Sequence, residues 1–282
     1  MGLTITLLGT GTPIPDPNRA GPATLIRGAG TTVLVDCGRG AVMRLAGAGV
    51  MPPMLDALLI THLHSDHITD LNDVITTHWV LTMQPTTLRI YGPPGIREVV
   101  DAIMASLRFD IGYRLAHHED LTWEPQLEVT ELVPGTTLTV GAATVIVAET
   151  LHFPVEPTIG FRFEQGGAAV VLAGDSIPCE GLDSLCAGAD AYVQTVIRDD
   201  LVKLIPFPRI QDILDYHSSI TQAAETATRA GVGTLVLTHY VPAPPPGGID
   251  EWIAIAAEHF DGQIIAGDDL TSVTITPAEA NS

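Results

Sequence analysis

The sequence predicts an α/β fold in which β-sheets pack inside layers of helices. Two observations predict this fold class. Short apolar runs that are typical of strands occur in two successive blocks, and amphipathic runs that are typical of helices follow in each block. The 282 residues, 46% of them hydrophobic, are enough to enclose a large core. Because the chain shows no short-period repeat and no obvious linker, we expect one domain over residues 1–282.

In the first block, glycine and proline mark the ends of the predicted elements. The predicted strands cover residues 4–8, 23–27, 31–36, 57–61 and 88–91. The predicted helices cover residues 40–48 and 70–81, followed by a helix that opens after residues 92–95 and continues to residue 107. Residues 108–127, which include His117 and His118, show little periodicity and are interpreted as a loop or lid.

The second block repeats the order of strands followed by helices. Its predicted strands cover residues 138–140, 144–149, 159–163, 168–173, 191–193, 234–238, 263–265 and 270–275. Its predicted helices cover residues 182–187, 221–230 and 250–260. Residues 199–217 are interpreted as a loop.

Four potential metal ligands lie within six residues at the end of the predicted strand 57–61: His62, His64, Asp66 and His67. On an extended backbone, His62 and His64 point to the same side and can bind one ion. Asp66 and His67 lie beyond a tight turn and can reach a second ion. These groups need partners when buried. Imidazole and carboxylate without thiolate suit zinc, with manganese or iron as alternatives.

Three more ligand-type residues follow apolar strands farther along the chain: His152, Asp175 and His239. A single histidine after a strand is more often structural than functional. Three such positions, added to the first cluster, favour a shared site, because active sites of layered α/β folds gather at strand ends.

The composition narrows the function classes. The formal net charge is −20, Lys203 is the only lysine, and no basic stripe is visible, which weighs against a large RNA substrate. No apolar run is long enough to span a membrane, and the N-terminal residues do not resemble a signal peptide. Cys37, Cys179 and Cys186 lack a C-x-x-C spacing and are expected to be reduced, which predicts a cytoplasmic protein.

The order H-x-H-x-D-H, then His, Asp and His after strands, resembles the metallo-β-lactamase superfamily over nearly the whole chain. The resemblance implies a four-layer αββα sandwich with a dinuclear zinc centre at one edge. It also implies that His62, His64 and His152 hold one zinc and that Asp66, His67 and His239 hold the other. Asp175 would bridge the two ions together with a hydroxide. Two such metal ions lower the pKa of a water that they share, and the resulting hydroxide is a nucleophile.

Within this superfamily, the motifs at residues 7–13, 35–38 and 217–239 resemble the ribonuclease Z and phosphodiesterase branch. The resemblance implies that His217 is catalytic and protonates the leaving oxygen, with Asp66 orienting the nucleophile. The alternative for His217 is a turn residue beside the following helix. Asp36 is either a partner of a ligand histidine or a turn residue, and the sequence leaves both open.

Two features depart from ribonuclease Z. The arm that grips tRNA in that family lies between the third metal histidine and the bridging aspartate, and here only 23 positions separate His152 from Asp175. The family's histidine-glutamate motif is replaced by Gln194-Thr195. We therefore rank a zinc phosphodiesterase with a small or medium ester substrate first, an arylsulfatase or lactonase second, and a tRNA 3′-end endonuclease below both.

Two other functions are weighed and ranked lower. Family members with a di-iron redox centre usually carry glutamate where this chain has His64. A non-catalytic metal scaffold would not need His217. No membrane partner is expected, and a homodimer is compatible with the composition, although no interface can be located from the sequence.

Overall fold

The computed structural model describes residues 2–277, and across these residues the strands form two seven-stranded sheets. The first sheet has the order β14-β1-β2-β3-β4-β5-β6. Its strands are β1 (Leu3–Gly9), β2 (Ala23–Gly28), β3 (Thr31–Val35), β4 (Ala57–Leu59), β5 (Thr87–Gly92), β6 (Gln126–Glu131) and β14 (Ser272–Ile275). Strands β3 to β6 run parallel to one another, whereas β14, β1, β2 and β3 pair antiparallel.

The second sheet has the order β13-β12-β11-β10-β9-β8-β7. Its strands are β7 (Thr137–Val140), β8 (Ala143–His152), β9 (Val155–Gln165), β10 (Ala168–Leu172), β11 (Ala191–Ile197), β12 (Thr234–Val241) and β13 (Gln263–Ala266). Strands β10 to β13 are parallel, and β7 to β10 are antiparallel. Each sheet is therefore mixed, with its parallel half ending at one edge.

Helices cover the outer faces of both sheets. They are α1 (Ala41–Gly47), α2 (Ser65–Ile68), α3 (Leu71–Val80), α4 (Ile96–His117), α5 (Glu180–Cys186), α6 (Asp199–Val202), α7 (Pro208–Gln211), α8 (Ile220–Ala230) and α9 (Ile249–Ala257). Two short 3-10 turns, Pro52–Met54 and Asp212–Asp215, complete the elements of the described residues.

Three apolar clusters hold these layers together. Side chains from both sheets, such as Leu59 and Phe161, form the central cluster between them. A second cluster packs α1, α3 and α4 on the first sheet, and a third packs α5, α8 and α9 on the second. The predicted four-layer αββα sandwich is confirmed.

The parallel halves of the two sheets bring several strand ends to a common edge. In the first sheet, Leu59 at the end of β4 pairs with Val35 at the end of β3. In the second sheet, Leu172 at the end of β10 pairs with Val193 in β11. The amide of Ile159 donates a 3.0 Å hydrogen bond to the carbonyl of Thr61, which joins the two sheets just beside this edge.

Two predicted loops are wrong. Residues 199–217 contain α6, α7 and the 3-10 turn Asp212–Asp215. Helices of four residues are too short to show a helical period in the sequence. Residues 108–127 were expected to be a loop, but α4 continues to His117 and β6 begins at Gln126. The buried residues of α4 are only Ile96, Val100 and Ile111, so its later turns keep most of their surface exposed. A helix that is exposed on most sides lacks the apolar period that identifies helices in sequence.

Two further features concern the helices and the cysteines. Across residues 2–277, none of the helices combines the length and apolar character that crossing a bilayer requires. Cys37, Cys179 and Cys186 are all free thiols, as expected from their spacing.

Candidate metal centre

The first ligand cluster follows β4 at the edge where the parallel strands end. His62 and His64 lie in the extended connection after β4, and the rings of the two residues are 5.0 Å apart. Asp66 and His67 lie in the short helix α2, which His64 precedes with extended backbone angles. The change from extended chain to helix turns the second pair of side chains toward a different part of the same site.

The second sheet supplies the remaining ligand-type residues from three strands. His152 is the last residue of β8, and Asp175 follows β10 by three positions. His239 was expected just after a strand, but β12 continues through it to Val241. His239 has a φ of 53°, an uncommon left-handed value for a histidine. This local change of direction inside the strand is not visible in the sequence.

These residues assemble into two adjoining groups. One group contains His62, His64, His152 and Asp175, and the other contains Asp66, His67 and His239; in each group the ligand atoms lie within 4.8 Å of one another. The Oδ2 atom of Asp175 stands between the groups. It lies 3.9 Å from Nε2 of His62, 3.8 Å from that of His152, 3.4 Å from that of His67 and 3.6 Å from that of His239.

Several polar atoms at the centre are buried and have no hydrogen-bond partner within the described residues. They are Nε2 of His62, Nε2 of His67, Oδ1 of Asp175 and Nδ1 of His239. Buried polar atoms in folded proteins are almost always paired, so these unpaired atoms need an explanation. His239 faces Asp175 through Nε2, at 3.6 Å from Oδ2, so its unpaired Nδ1 is the other ring nitrogen. The unpaired Nε2 atoms of His62 and His67, beside the carboxylate of Asp175, fit a divalent metal such as zinc.

Neighbouring groups fix the orientation of three of the histidines. Nδ1 of His67 lies 2.8 Å from Oδ2 of Asp36, and Nδ1 of His152 lies 2.9 Å from the carbonyl oxygen of Tyr216. Nδ1 of His62 lies 3.0 Å from the hydroxyl of Thr61, which itself donates to Asp36. If each Nδ1 carries the proton, each Nε2 keeps its lone pair for the centre, as in histidine metal sites generally.

The structure answers the question left open about Asp36. Its carboxylate accepts hydrogen bonds from the backbone amide of Thr61 at 2.8 Å and from His67. Asp36 also has a φ of 59°, so it is a turn residue as well. The two alternatives coexist in one residue.

Burial and neighbouring charges shift the pKa values at the centre in both directions. Burial alone would raise the pKa of Asp175, but the imidazoles of His239, His67 and His217 outweigh it, and the pKa is held well below its usual value. Burial opposes protonation of His67, yet Asp175 and Asp36 outweigh it and raise the pKa of His67 well above its usual value. Burial is the largest effect at His62, His64 and His152 and lowers the pKa of each. An ionised carboxylate beside neutral imidazoles suits a dication.

His217 lies directly beside this centre. Its Nε2 atom is 3.2 Å from Oδ2 of Asp175, and its ring centroid is 4.8 Å from that of His152. The role of helix cap belongs instead to Ser219, whose hydroxyl accepts the amide hydrogen of Gln222 at 3.2 Å at the start of α8. His217 is therefore available for chemistry at the edge of the metal centre.

The other residues singled out in the sequence lie outside the two ligand groups. Gln194 and Thr195 lie inside β11 and support the loop of Asp175, since Thr195 donates to the carbonyl of Gly174 at 3.1 Å. His117 and His118 lie at the end of α4 and belong to neither ligand group. The orienting role of the Tyr216 carbonyl could not be predicted from the sequence, because backbone acceptors do not depend on residue type.

Comparison with known proteins places the chain in a defined family. Residues 31–240 match the β-lactamase superfamily domain. The ribonuclease Z of Mycolicibacterium gilvum is 58% identical over 275 residues, covering 97% of this chain and 96% of that protein. The ribonuclease Z of Mycobacterium bovis is 56% identical over 277 residues, covering 98% of this chain and 99% of that protein.

Solved structures of lower identity share the fold. The metallo-β-lactamase fold protein YhfI of Bacillus subtilis has a TM-score of 0.74 at 24% identity and covers 97% of this chain and 100% of its own. Human tRNase Z, short form, has a TM-score of 0.70 at 23% identity, with 97% and 99% of the two chains covered. A diphosphatase from the PhnP family has a TM-score of 0.68 at 19% identity, with 98% and 99% covered.

Proposed function

The chain belongs to the ribonuclease Z branch of the β-lactamase superfamily and is a metal-dependent hydrolase of phosphodiester bonds, and from that premise we propose that it is an RNA endonuclease that cuts tRNA precursors at their 3′ side. The observation that carries the proposal is the near identity of length between this chain and relatives named ribonuclease Z. Those relatives align over 96% to 99% of their own residues, so they too leave little room for an additional arm.

This proposal reverses the order of substrates expected from the sequence. A small phosphodiester was ranked above tRNA because the arm is missing and the net charge is −20. The comparisons favour the opposite order, because relatives named ribonuclease Z match over nearly their whole length. Net charge describes the whole surface and long-range steering, whereas cleavage depends on the local site.

We propose that two zinc ions occupy the centre. His62, His64 and His152 would hold one ion, and Asp66, His67 and His239 would hold the other, with Asp175 between them; manganese or iron is an alternative. The support is the grouping of these side chains and their unpaired buried atoms. Two bound zinc ions would supply a water activated as the nucleophile and would polarise the phosphoryl oxygens.

The chain's own residues would then complete the reaction. Asp66 would orient the attacking water, and His217 would donate a proton to the leaving oxygen. The contact of His217 with Asp175 fits this role, because the carboxylate keeps the imidazole beside the reacting phosphate. Asp36 would fix the ring of His67 through its 2.8 Å contact.

A precursor tRNA with a 3′ trailer tests the proposal directly. Zinc-loaded or manganese-loaded protein is expected to release the trailer, and chelated protein is expected to leave the RNA intact. Bis(p-nitrophenyl) phosphate serves as a small substrate in parallel. Hydrolysis of the small ester with no cleavage of the RNA would contradict the endonuclease and would favour the second candidate.

The second candidate is a hydrolase of small phosphodiesters. The observation in its favour is the tight turn between β8 and β9, which begins one residue after His152 and provides no extended platform for a folded RNA. An arylsulfatase or lactonase uses the same kind of centre, and a panel of aryl sulfate, lactone and phosphodiester substrates would separate these activities.

A further inference from the structure

We propose that Phe153 and Tyr216 form an aromatic subsite that binds an unpaired nucleobase beside the scissile phosphate. The inference rests on the proposed function, because it takes the substrate to be RNA. The aromatic subsite would explain how the RNA is held next to the metal centre. Neither the ligand groups nor His217 explains this.

The position of Phe153 is the first observation. It follows the ligand-type residue His152 directly, in the turn between β8 and β9, and 72% of its side chain is exposed. Adjacent Cα atoms are about 3.8 Å apart. A nucleotide whose phosphate lies at the centre would therefore have its neighbouring base within reach of this ring.

Tyr216 approaches His152 from a different part of the chain. Its ring centroid is 5.0 Å from that of His152 and 4.9 Å from that of His217, and its side chain is partly exposed. The Tyr216 carbonyl lies 2.9 Å from Nδ1 of His152, which holds the backbone of Tyr216 against that residue. Two aromatic residues from separate segments thus adjoin the same ligand, Phe153 by sequence and Tyr216 by ring contact.

Because most basic side chains of this protein are already paired, we expect base stacking to contribute more to RNA binding here than attraction between charges. Within residues 2–277, eight of the thirteen basic side chains form ion pairs with carboxylates. These eight are Arg19, Arg44, Arg89, Arg114, Arg162, Arg198, Lys203 and Arg229. Asp212 and Asp215 precede Tyr216 by four positions and by one position, so this lip of the site carries negative side chains.

A negative lip repels the phosphate backbone, and few basic side chains remain unpaired to offset that repulsion. Stacking on an aromatic ring needs no positive charge and tolerates any base, because every base has a π-face. The subsite would accept a single-stranded segment and would not accept a base that remains paired in a helix.

The test uses precursor RNAs that differ at one nucleotide. Zinc-loaded protein is given RNA with a normal or an abasic nucleotide on either side of the scissile phosphate. For the wild type, we expect the abasic change on one side to lower kcat/KM about tenfold, as loss of one stacked base would. For Phe153→Ala, we expect a similar loss with normal RNA and little further loss with abasic RNA. Losses that multiply, or an abasic change without effect, would overturn the subsite.

Matched variants separate stacking from general apolar contact. Phe153→Leu keeps an apolar side chain but removes the ring, and we expect it to behave like Phe153→Ala. Tyr216→Phe keeps the ring and should lower kcat/KM much less than Tyr216→Leu, which should lose about tenfold. Phe109→Leu is the control, because Phe109 is 59% exposed on α4, which supplies no ligand-type residue of the centre.

A second measurement needs binding alone. RNA with 2-aminopurine at the sensitive position is expected to lose fluorescence on binding the wild type and to lose much less on binding Phe153→Leu, because stacking quenches this base. If the wild type binds the RNA but does not cut it, the proposed function fails while quenching still reports on the subsite. Equal fluorescence with both proteins would overturn the subsite whatever the outcome for cleavage.

Discussion

Two clusters of polar side chains lie near one another in this molecule, and they differ in how fully their buried polar atoms are paired. In the metal centre, four buried atoms have no partner within the described residues. In the second cluster, which we call the Asp269 cluster and which comprises Thr10, Arg19, Arg44 and Asp269, hydrogen bonds pair the side chains with one another. Asp269 accepts from the hydroxyl of Thr10 at 2.9 Å and from Nε of Arg44 at 2.8 Å.

Within the described residues, none of the buried side-chain atoms that lack a partner belongs to the Asp269 cluster. Asp269 also accepts the amide hydrogens of Thr10 at 3.0 Å and Ala20 at 2.7 Å, and Arg19 donates to the hydroxyl of Thr10 at 2.6 Å. A paired cluster of this kind joins loops and specifies their positions. A cluster that leaves buried polar atoms unpaired is a candidate binding site, because a ligand can compensate for the cost of burying those atoms.

The largest effect is expected from Asp175→Ala. Asp175 contacts both ligand groups, so its removal should lower bound zinc per protein and reduce hydrolysis of bis(p-nitrophenyl) phosphate by about a thousandfold. Elemental analysis of the folded variant and a rate assay measure the two effects. If the Asp175→Ala variant kept its full metal content and full activity, Asp175 would not be needed for metal binding. The contrast between a metal-binding cluster and a purely structural one would then be lost.

His217→Ala should have the next largest effect, on turnover alone. Loss of a general acid typically costs about a hundredfold or more in rate. The metal content should stay at the wild-type value, since His217 is in neither ligand group. A variant that loses zinc in proportion to activity would instead make His217 part of the metal-binding set.

Asp36→Asn should weaken metal binding by about tenfold to a hundredfold, the usual size for a partner that orients a ligand histidine. Competition with a chelator measures this affinity. Asp56→Asn is the matched control, because the Asp56 carboxylate accepts a backbone amide at 2.8 Å but belongs to neither ligand group. Equal affinities for the two variants would show that Asp36 has no influence on the centre.

The smallest effect is expected from Thr10→Val in the Asp269 cluster. The change removes one hydrogen bond to buried Asp269 and one from Arg19, so the free energy of unfolding should fall by about 1–2 kcal/mol. The melting temperature should fall by a few degrees, while zinc content and kcat stay unchanged. Loss of zinc at unchanged melting temperature would mean that this cluster acts on the metal centre and is not purely structural.

The fold and the ligand-type residues could be predicted from sequence wherever one strong periodicity or one dense motif was present. The six residues from His62 to His67 contain four potential metal ligands, so this short motif by itself predicts a metal site. Strand β8 was predicted to end at residue 149, whereas it continues to His152. Exposed and buried residues alternate along β8, so its last residues lack the continuous apolar run that marks β10.

What the sequence could not supply depends on tertiary context. His239 has a left-handed backbone inside β12, and that geometry follows from neighbouring loops, including a 3.1 Å hydrogen bond from the amide of Tyr240 to the carbonyl of Thr10. The partner of Asp36 was ambiguous because 31 positions separate it from His67. The long exposed part of α4 had no periodic signal, since most of its side chains contact solvent.

The division of ligands between the two sheets also makes the complete metal centre depend on both halves of the fold. A chain in which only the first sheet had formed would present His62, His64, Asp66 and His67 but would lack His152, Asp175 and His239. Hydrolytic power would therefore arise only when both halves have docked. A partly folded copy would therefore carry an incomplete ligand set and would be inactive.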